Sequence, residues 1–239
     1  MTADCARPRR ASGVETRRRL LDHGACLFAR HGVDGVEIQA IQDAAGTKNQ
    51  RAVHYYFGDR QGLLLAIIER HLTEAERLRR PLVEQIEADG ATDDLDRLLD
   101  ALVTPMTCVF GSAVGRAELR LAAQLNHPDL AYSLRPFSLV DAPSGTRLVD
   151  MLRRAAPSVP EPIERERFAI LREQVIHLVG QRARLIDHRE PPEPDHTDAI
   201  WKSNLIDVLA AGLTVPVTDR TRKLLGVDRP AASDSSRRR

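Results

Sequence analysis

The fold is decided by residues 41–64, which read IQDAAGTKNQRAVHYYFGDRQGLL. Two short helical patterns, about Val36 to Ala45 and about Gln50 to Phe57, are separated here by Gly46. Their inward positions are apolar and mostly small, which allows two helices to cross closely. These positions are Ile38, Ile41, Ala45, Ala52 and Val53. Two short helices joined by a glycine turn predict a helix-turn-helix.

The polar side chains left on the outside of the second short helix favour contact with DNA. Arg suits guanine and Asn or Gln suits adenine at base edges, whereas Tyr, His and Arg suit phosphates. We expect the DNA-contacting residues to be Lys48, Asn49, Gln50, Arg51, His54, Tyr55, Tyr56 and Arg60. Taken singly, each residue has an alternative explanation, a solvated loop or, for the tyrosines, core packing. The prediction depends on their concentration directly after a helix and a glycine turn.

Helical periodicity continues in both directions from this segment, and no alternating strand pattern is found. Upstream, a first helix is predicted from about Glu15 to Arg30. Downstream, Asp59 caps a fourth helix that is expected to end near Pro81, because proline disrupts a helix interior. The later helices are predicted at Val83–Ala88, Asp93–Phe110 with Thr92 as cap, Arg116–Leu125, Gly145–Ala155, Ile163–Asp187 and Asp198–Leu213.

Composition and charge favour a protein of a reducing compartment that does not cross a membrane. Residues 1–60 carry ten Lys/Arg against seven Asp/Glu, so the first quarter is the more cationic part. No apolar run approaches the roughly 20 residues that cross a bilayer, and the arginine-rich N-terminus lacks the core of a signal peptide. None of the 3 cysteines belongs to a C-x-x-C pair. We therefore expect a cytoplasmic protein without a membrane partner.

Sequence signatures of catalysis and metal binding are not found. The chain has no Gly-x-Ser-x-Gly elbow, no phosphate-binding glycine loop and no dinucleotide fingerprint. Its 8 histidines fall at no spacing with Cys, Asp or Glu that is typical of a metal site. Cys26 with His23 or His31 is not expected to form a catalytic pair. We expect no enzymatic activity, no metal and no cofactor.

Three segments of the chain resemble the TetR family of transcriptional repressors. Residues 17–32 resemble its opening helix, and residues 41–46 and 52–64 resemble its helix-turn-helix and the start of its fourth helix. The resemblance implies an all-α fold, with an N-terminal three-helix helix-turn-helix head and a C-terminal helical ligand-binding and dimerisation domain. It also implies a homodimer on a near-palindromic operator in double-stranded DNA, and a small-molecule effector. The expected organisation is 1–12 flexible basic arm, 13–60 DNA-binding domain, 61–227 ligand-binding and dimerisation domain, and 228–239 disordered tail.

The chain departs from the family pattern in ways that affect the head. Five residues, 47–51, stand where four are usual, which predicts a longer turn with Asn49 as a candidate cap and leaves open which of residues 48–50 reach bases. Val36 replaces the Thr that commonly opens the second helix. Gln42 stands where a small residue is usual. The longer turn and Gln42 motivate an alternative, a helical adaptor whose head no longer binds a specific operator.

Two further sets of residues are predicted in the C-terminal part. The two long late helices carry apolar stripes that favour a four-helix bundle between two copies, with packing inside one copy as the alternative. The expected dimer contacts are Leu171, Val175, Leu178, Leu205, Val208 and Leu209. The candidates for an effector cavity, which are equally compatible with plain core, are Met106, Phe110, Phe137, Met151 and His177.

Overall fold

The computed structural model describes residues 9–126, 142–188 and 196–226, and every regular element in these ranges is a helix. The all-α prediction is therefore confirmed. The helices are α1 (Arg9–His31), α2 (Ile38–Ala44), α3 (Ala52–Phe57), α4 (Arg60–Ala88), α5 (Leu95–Thr107), α6 (Ala113–Leu125), α7 (Pro143–Ala155), α8 (Glu161–Asp187), α9 (His196–Thr214) and α10 (Asp219–Leu224). Helix α1 begins at Arg9, inside the predicted arm. Phe137 and the predicted tail lie outside the described residues.

The buried apolar side chains form two clusters, which we call the head core and the body core. The head core joins α1, α2 and α3 to the first half of α4 and to one face of α6. The body core joins the second half of α4 to α5, α7, α8 and α9. Fully burying one Leu, Ile or Phe side chain stabilises a fold by about 1.5–3 kcal/mol. Because the head core extends across residue 60, the head is fixed to α4 and α6 by packing.

Helix α4 runs without interruption through Pro81, so the prediction that it ends there was wrong. Pro81 is exposed, and the carbonyl that its missing N–H leaves without a helical partner can therefore be hydrated. On the opposite side, Val83 and Ile86 are 0% and 3% exposed in the body core. Packing of this buried face holds the last two turns in line, and the predicted separate helix at 83–88 is the end of α4.

The cap of α5 also differs from the prediction. The carboxylate of Asp94 accepts a hydrogen bond from the backbone N–H of Arg97 at 3.1 Å. Asp94, and not Thr92, is therefore the N-cap residue.

Polar contacts tie α1 of the head to α4 and α6. The guanidinium of Arg70 on α4 donates to Asp22 on α1 at 2.7 Å and to Glu118 on α6 at 2.8 Å. At the other end of α1, Arg120 and Gln124 of α6 both donate to the carbonyl of Ala29, at 3.1 and 2.9 Å. A displacement of α6 relative to α1 breaks or strains these contacts, so the two helices are expected to move together.

Helices α8 and α9 lie side by side in opposite directions. Near the end of α8, Arg182 donates to Asp198 at the start of α9 at 2.7 Å. Near the beginning of α8, Arg167 donates to the carbonyl of Leu213 at the end of α9, also at 2.7 Å. These two contacts fix the antiparallel register of the pair.

Replacing Pro81 with Ala should raise the free energy of unfolding by roughly 1–3 kcal/mol, because the helix interior regains a backbone hydrogen bond. Pro162→Ala is the matched control. Pro162 is the second residue of α8, where the N–H has no partner within the helix, so little change is expected. Urea denaturation of both variants measures the difference. A Pro81→Ala protein no more stable than the wild type would contradict the explanation given for the uninterrupted helix.

Candidate nucleic-acid interface

The residues around α3 divide sharply into an exposed polar side and a buried apolar side. Ala52 and Val53 are 2% and 1% exposed and belong to the head core. The side chains that face solvent are Lys48, Asn49, Gln50, Arg51, His54 and Tyr55. We call these six residues the polar row. Such a helix presents donors and acceptors to solvent along one side, as a DNA-reading helix requires.

The longer turn before α3 is held by its own hydrogen bonds. The side-chain oxygen of Asn49 accepts from the backbone N–H of Arg51 at 2.9 Å, and the carbonyl of Asn49 accepts from Ala52 at 3.0 Å. Arg51 is the N-cap residue of α3 and makes no side-chain capping bond. Asn49 therefore binds the N–H of the N-cap residue and orders the turn before α3. The expectation that Asn49 caps α3 itself was wrong.

The cap that α3 lacks locally is supplied by Gln42 of α2. Its side chain is 2% exposed, and Oε1 accepts a hydrogen bond from the backbone N–H of Val53 at 3.2 Å. Val53 is the second residue of α3, whose N–H has no partner within its own helix. The backbone carbonyl of Gln42 also accepts from Thr47 at 3.0 Å. Gln42 thus joins α2, the longer turn and α3, and the two departures from the family pattern compensate each other.

The imidazole of His54 has its hydrogen-bonding roles set by the end of α3. Nδ1 lies 2.6 Å from the carbonyl oxygen of Gly58. Since a carbonyl only accepts, Nδ1 carries the proton and donates. Nε2 remains available, as an acceptor in the neutral ring and as a donor to phosphate in the protonated ring.

The two tyrosines of α3 occupy different environments. Tyr55 is 76% exposed, and its ring meets that of Tyr56 edge-on with centroids 4.9 Å apart. Tyr56 packs against the head core, and its hydroxyl lies 3.4 Å from the place where a Cβ on Gly13 would stand. The ring of Tyr56 is therefore part of the core packing, as one of the two interpretations expected, and its hydroxyl is directed towards α1.

Two arginines beside α3 act differently from what the sequence suggested. The guanidinium of Arg60 donates to the carbonyl of Val33, so it braces the α1–α2 loop and keeps only its remaining donors for phosphate. Arg17, which was not predicted as a contact, lies with its guanidinium 5.1 Å from the centre of the Phe57 ring and is exposed. Its place on α1, away from the turn in sequence, gave no local signal.

Comparison with known proteins identifies this head. The family model described as "Bacterial regulatory proteins, tetR family" matches residues 20–67. The match covers the head, from within α1 to the first turns of α4. The HTH-type transcriptional repressor AcnR of Corynebacterium efficiens is 33% identical over 54 residues, which are 23% of this chain and 28% of that repressor. The aligned segment therefore spans little more than a quarter of that relative.

The likeness of fold extends beyond the tetR-family head. The crystal structure of Mycobacterium smegmatis AmtR matches with a TM-score of 0.50 and covers 95% of this chain and 100% of that chain. The two sequences are 18% identical over this match. The body thus shares the helical architecture of that structure, although the sequences differ.

The candidate effector residues of the body are only partly brought together. Met106, Phe110 and Met151 all contribute to the body core, and the ring of Phe110 lies 6.0 Å from that of Trp201. His177 is exposed on α8, with Nε2 3.4 Å from a carboxylate oxygen of Glu173. His177 is therefore not the polar group of an apolar cavity, because it lies outside the buried face of α8.

Most of the predicted dimer contacts lie inside the protomer. Leu171, Val175, Leu205 and Leu209 are 6%, 2%, 4% and 1% exposed in the body core. Leu178 is partly buried against that core, and Val208 is 48% exposed. The large apolar side chains that α8 and α9 do expose are Ile170, Leu185, Ile200 and Val208, and Val215 is exposed directly after the end of α9. The prediction followed the inner stripe of each helix, so four of its residues are corrected to core.

The described residues were compared with the expectations for a metal site and for Cys26. No three His, Cys, Asp or Glu side chains in these ranges are placed to hold a metal ion. Burial raises the pKa of the Cys26 thiol, and the carboxylates of Asp22 and Asp187 raise it further, so this thiol is a poor nucleophile at neutral pH. Within the same ranges, no helix has both the length and the apolar composition needed to cross a membrane.

Replacing Gln42 with Leu should lower the free energy of unfolding by about 1–3 kcal/mol, because the buried N–H of Val53 loses its acceptor. The matched control is Gln181→Leu at an exposed position of α8, for which a change within about 0.5 kcal/mol is expected. Chemical denaturation measures both. Equal stability of the two variants would show that the Gln42 hydrogen bond does not hold α3.

Proposed function

We propose that this chain is a sequence-specific DNA-binding transcriptional regulator of the cytoplasm, acting as a repressor. A homodimer binds a near-palindromic operator in double-stranded DNA, and a small-molecule effector in the body relieves this binding. The observation that carries the proposal is the polar row, which is exposed along α3 while the opposite side of that helix is buried in a tetR-family head.

Within the polar row, the residue types assign different tasks. Arg51 offers a planar fork for the O6 and N7 atoms of guanine, and Asn49 or Gln50 offers paired groups for adenine. His54, through Nε2, and Tyr55 are placed for a base edge or a phosphate. Lys48, Tyr56 and Arg60 are assigned to the DNA backbone, and Arg17 of α1 is added to them.

The proposed dimer uses the exposed stripes of the antiparallel pair α8 and α9. Ile200 and Val208 of α9 are 64% and 48% exposed, Val215 directly after its end is 52% exposed, and Ala211 and Gly212 are small enough for close approach. On α8, Ile170 and Leu185 are 53% and 52% exposed. Pairing these stripes across a twofold axis makes a four-helix bundle and sets the distance between the two heads.

Communication between an effector in the body and the head is proposed to pass through α4 and α6. Arg70 connects α4 to Asp22 of α1 and to Glu118 of α6, and Arg120 and Gln124 hold the end of α1. A coupling free energy of about 1–3 kcal/mol between the two sites changes operator affinity about 5–150-fold. A shift of α4 or α6 that differs by this free energy between the free and effector-bound protein changes how much of the operator is occupied.

The adaptor alternative loses the observations that motivated it. The longer turn and Gln42 together provide the hydrogen bonds that order α3, so neither indicates a degenerate head. A regulator should lose affinity steeply with added salt and keep its sequence preference. An adaptor would show no preference for any duplex at any salt concentration.

Arg51→Ala should weaken binding to the operator by roughly 1–3 kcal/mol, which is about 5–150-fold in Kd, if Arg51 contacts a base edge through both donors. The operator is first selected from fragments of the source genome, and binding is then measured by fluorescence anisotropy against a scrambled duplex. Arg77→Ala, an exposed arginine on α4 that pairs with Glu74, is the control and should bind normally. An equal loss on both duplexes would make Arg51 a phosphate contact instead.

Val208→Asp should raise the dimer dissociation constant by at least about 100-fold, because a twofold interface would bury two unpaired carboxylates. Leu224→Asp serves as the matched control, since Leu224 on α10 is 82% exposed and lies outside the α8–α9 stripes. Sedimentation velocity over a concentration series measures both. If Val208→Asp stays dimeric, or if the wild type is monomeric, this surface is not the dimer interface.

A further inference from the structure

The body contains a buried arginine that lacks a hydrogen-bond partner at its inner nitrogen. Arg79 on α4 is 8% exposed, and its Nε is buried without any hydrogen bond. Among the residues that the structure describes, no carboxylate forms an ion pair with its guanidinium, whereas Glu76 lies 3.9 Å from the neighbouring Arg80. A buried charge without a partner is strongly destabilising, so such a group is rare unless it has a use.

The carboxylate whose charge acts on Arg79, that of Glu76, already accepts hydrogen bonds from α7. One of its oxygens accepts from the backbone N–H of Ser144 at 3.1 Å, and the other accepts from the hydroxyl of Ser144 at 2.6 Å. Glu76 and Ser144 are 4% and 0% exposed. Glu76 therefore holds the first turn of α7 and affects Arg79 only through longer-range attraction.

The guanidinium of Arg79 lies against that same first turn. A Cβ built on Gly145, the third residue of α7, would be 3.3 Å from Nη1 of Arg79, so the glycine leaves room for the cation. The N-terminus of a helix carries partial positive charge, which repels a cation and attracts an anion. Burial lowers the pKa of Arg79, with Glu76 acting in the opposite direction. Arg79 thus feels the charge of Glu76 at longer range, but its Nε has no acceptor.

The surroundings of this site are apolar. One turn beyond Arg79 on α4 lies Val83, and one turn beyond Ser144 on α7 lies Leu148, both 0% exposed in the body core. Met151 of α7 belongs to the same core. The groups next to the Arg79 guanidinium along these two helices are therefore apolar, and a molecule that reaches Arg79 would meet them with its uncharged part.

We propose that Arg79 binds the carboxylate of the effector, and that the effector is a small organic carboxylate with an apolar body. The planar guanidinium presents parallel donors that match the two oxygens of a carboxylate. This inference rests on the proposed function for the existence of an effector, but the anion site is defined by Arg79 and the start of α7 alone.

Isothermal titration calorimetry with octanoate and octanamide tests the site on the full chain. The two probes have the same apolar chain and differ in the charged head. The wild type should bind octanoate about 10–100-fold more tightly than octanamide, because the hydrogen bonds to Arg79 are charge-assisted. Arg79→Gln should abolish this preference. Arg80→Gln, on the exposed neighbour, should keep it.

Thermal unfolding without any probe gives a second readout that does not depend on the ligand. If Arg79 is held ready for an anion, Arg79→Gln and Arg79→Met should be at least as stable as the wild type, because an unpaired buried charge is removed. A loss of several degrees in Tm for both variants would assign Arg79 a structural role and overturn the proposal.

The remaining outcomes separate this inference from the proposed function. Equal affinity for octanoate and octanamide, or binding of inorganic phosphate alone, overturns the carboxylate assignment. A protein that binds its operator but neither binds nor responds to octanoate also overturns it, and leaves the proposed regulator intact. A protein that binds octanoate through Arg79 but shows no operator preference supports the site and contradicts the proposed function.

Discussion

The hydrogen bond from the Val53 N–H to the Gln42 side chain is the contact on which the orientation of the polar row depends. It lies between two helices of 7 and 6 residues. Helices this short are not stable on their own, since nucleation is unfavourable and few backbone bonds follow it. Gln42 converts a buried polar position into a cap for α3, and Asn49 orders the turn that precedes it. The polar row keeps one orientation because both ends of the turn are fixed to α2.

Head and body are also connected by side chains that hydrogen-bond to the backbone of another helix or loop. Arg120 and Gln124 of α6 satisfy the Ala29 carbonyl near the end of α1, and Arg60 at the start of α4 satisfies Val33 in the following loop. Helix ends leave carbonyls without intrahelical partners, so these contacts replace water. The head is therefore packed directly against α4 and α6. Its position is specified by side chains of the helices that also enclose the body core.

Arg79 contrasts with other partly buried arginines in how its charge is compensated. Arg70, Arg116 and Arg120 each pair with carboxylates across helices, with distances of 2.6–2.7 Å between the charged atoms. Arg79 is more deeply buried than these and has no such pair among the described residues. Stability alone does not explain a buried cation beside a helix N-terminus, whereas a ligand-binding role does.

The sequence by itself determined the helical class, the place of the helix-turn-helix and the exposed side of α3. These features depend on local periodicity, on glycine turns and on the small apolar residues that must be buried. Tertiary structure alone decided the role of Gln42, the continuation of α4 through Pro81, and which stripe of α8 and α9 faces solvent. Neighbouring apolar residues such as Ile170 and Leu171 differ by 100° around a helix, and only packing against α6 and α9 selects the buried one. Arg79 is likewise unremarkable in sequence, because its isolation depends on α7, which lies far along the chain.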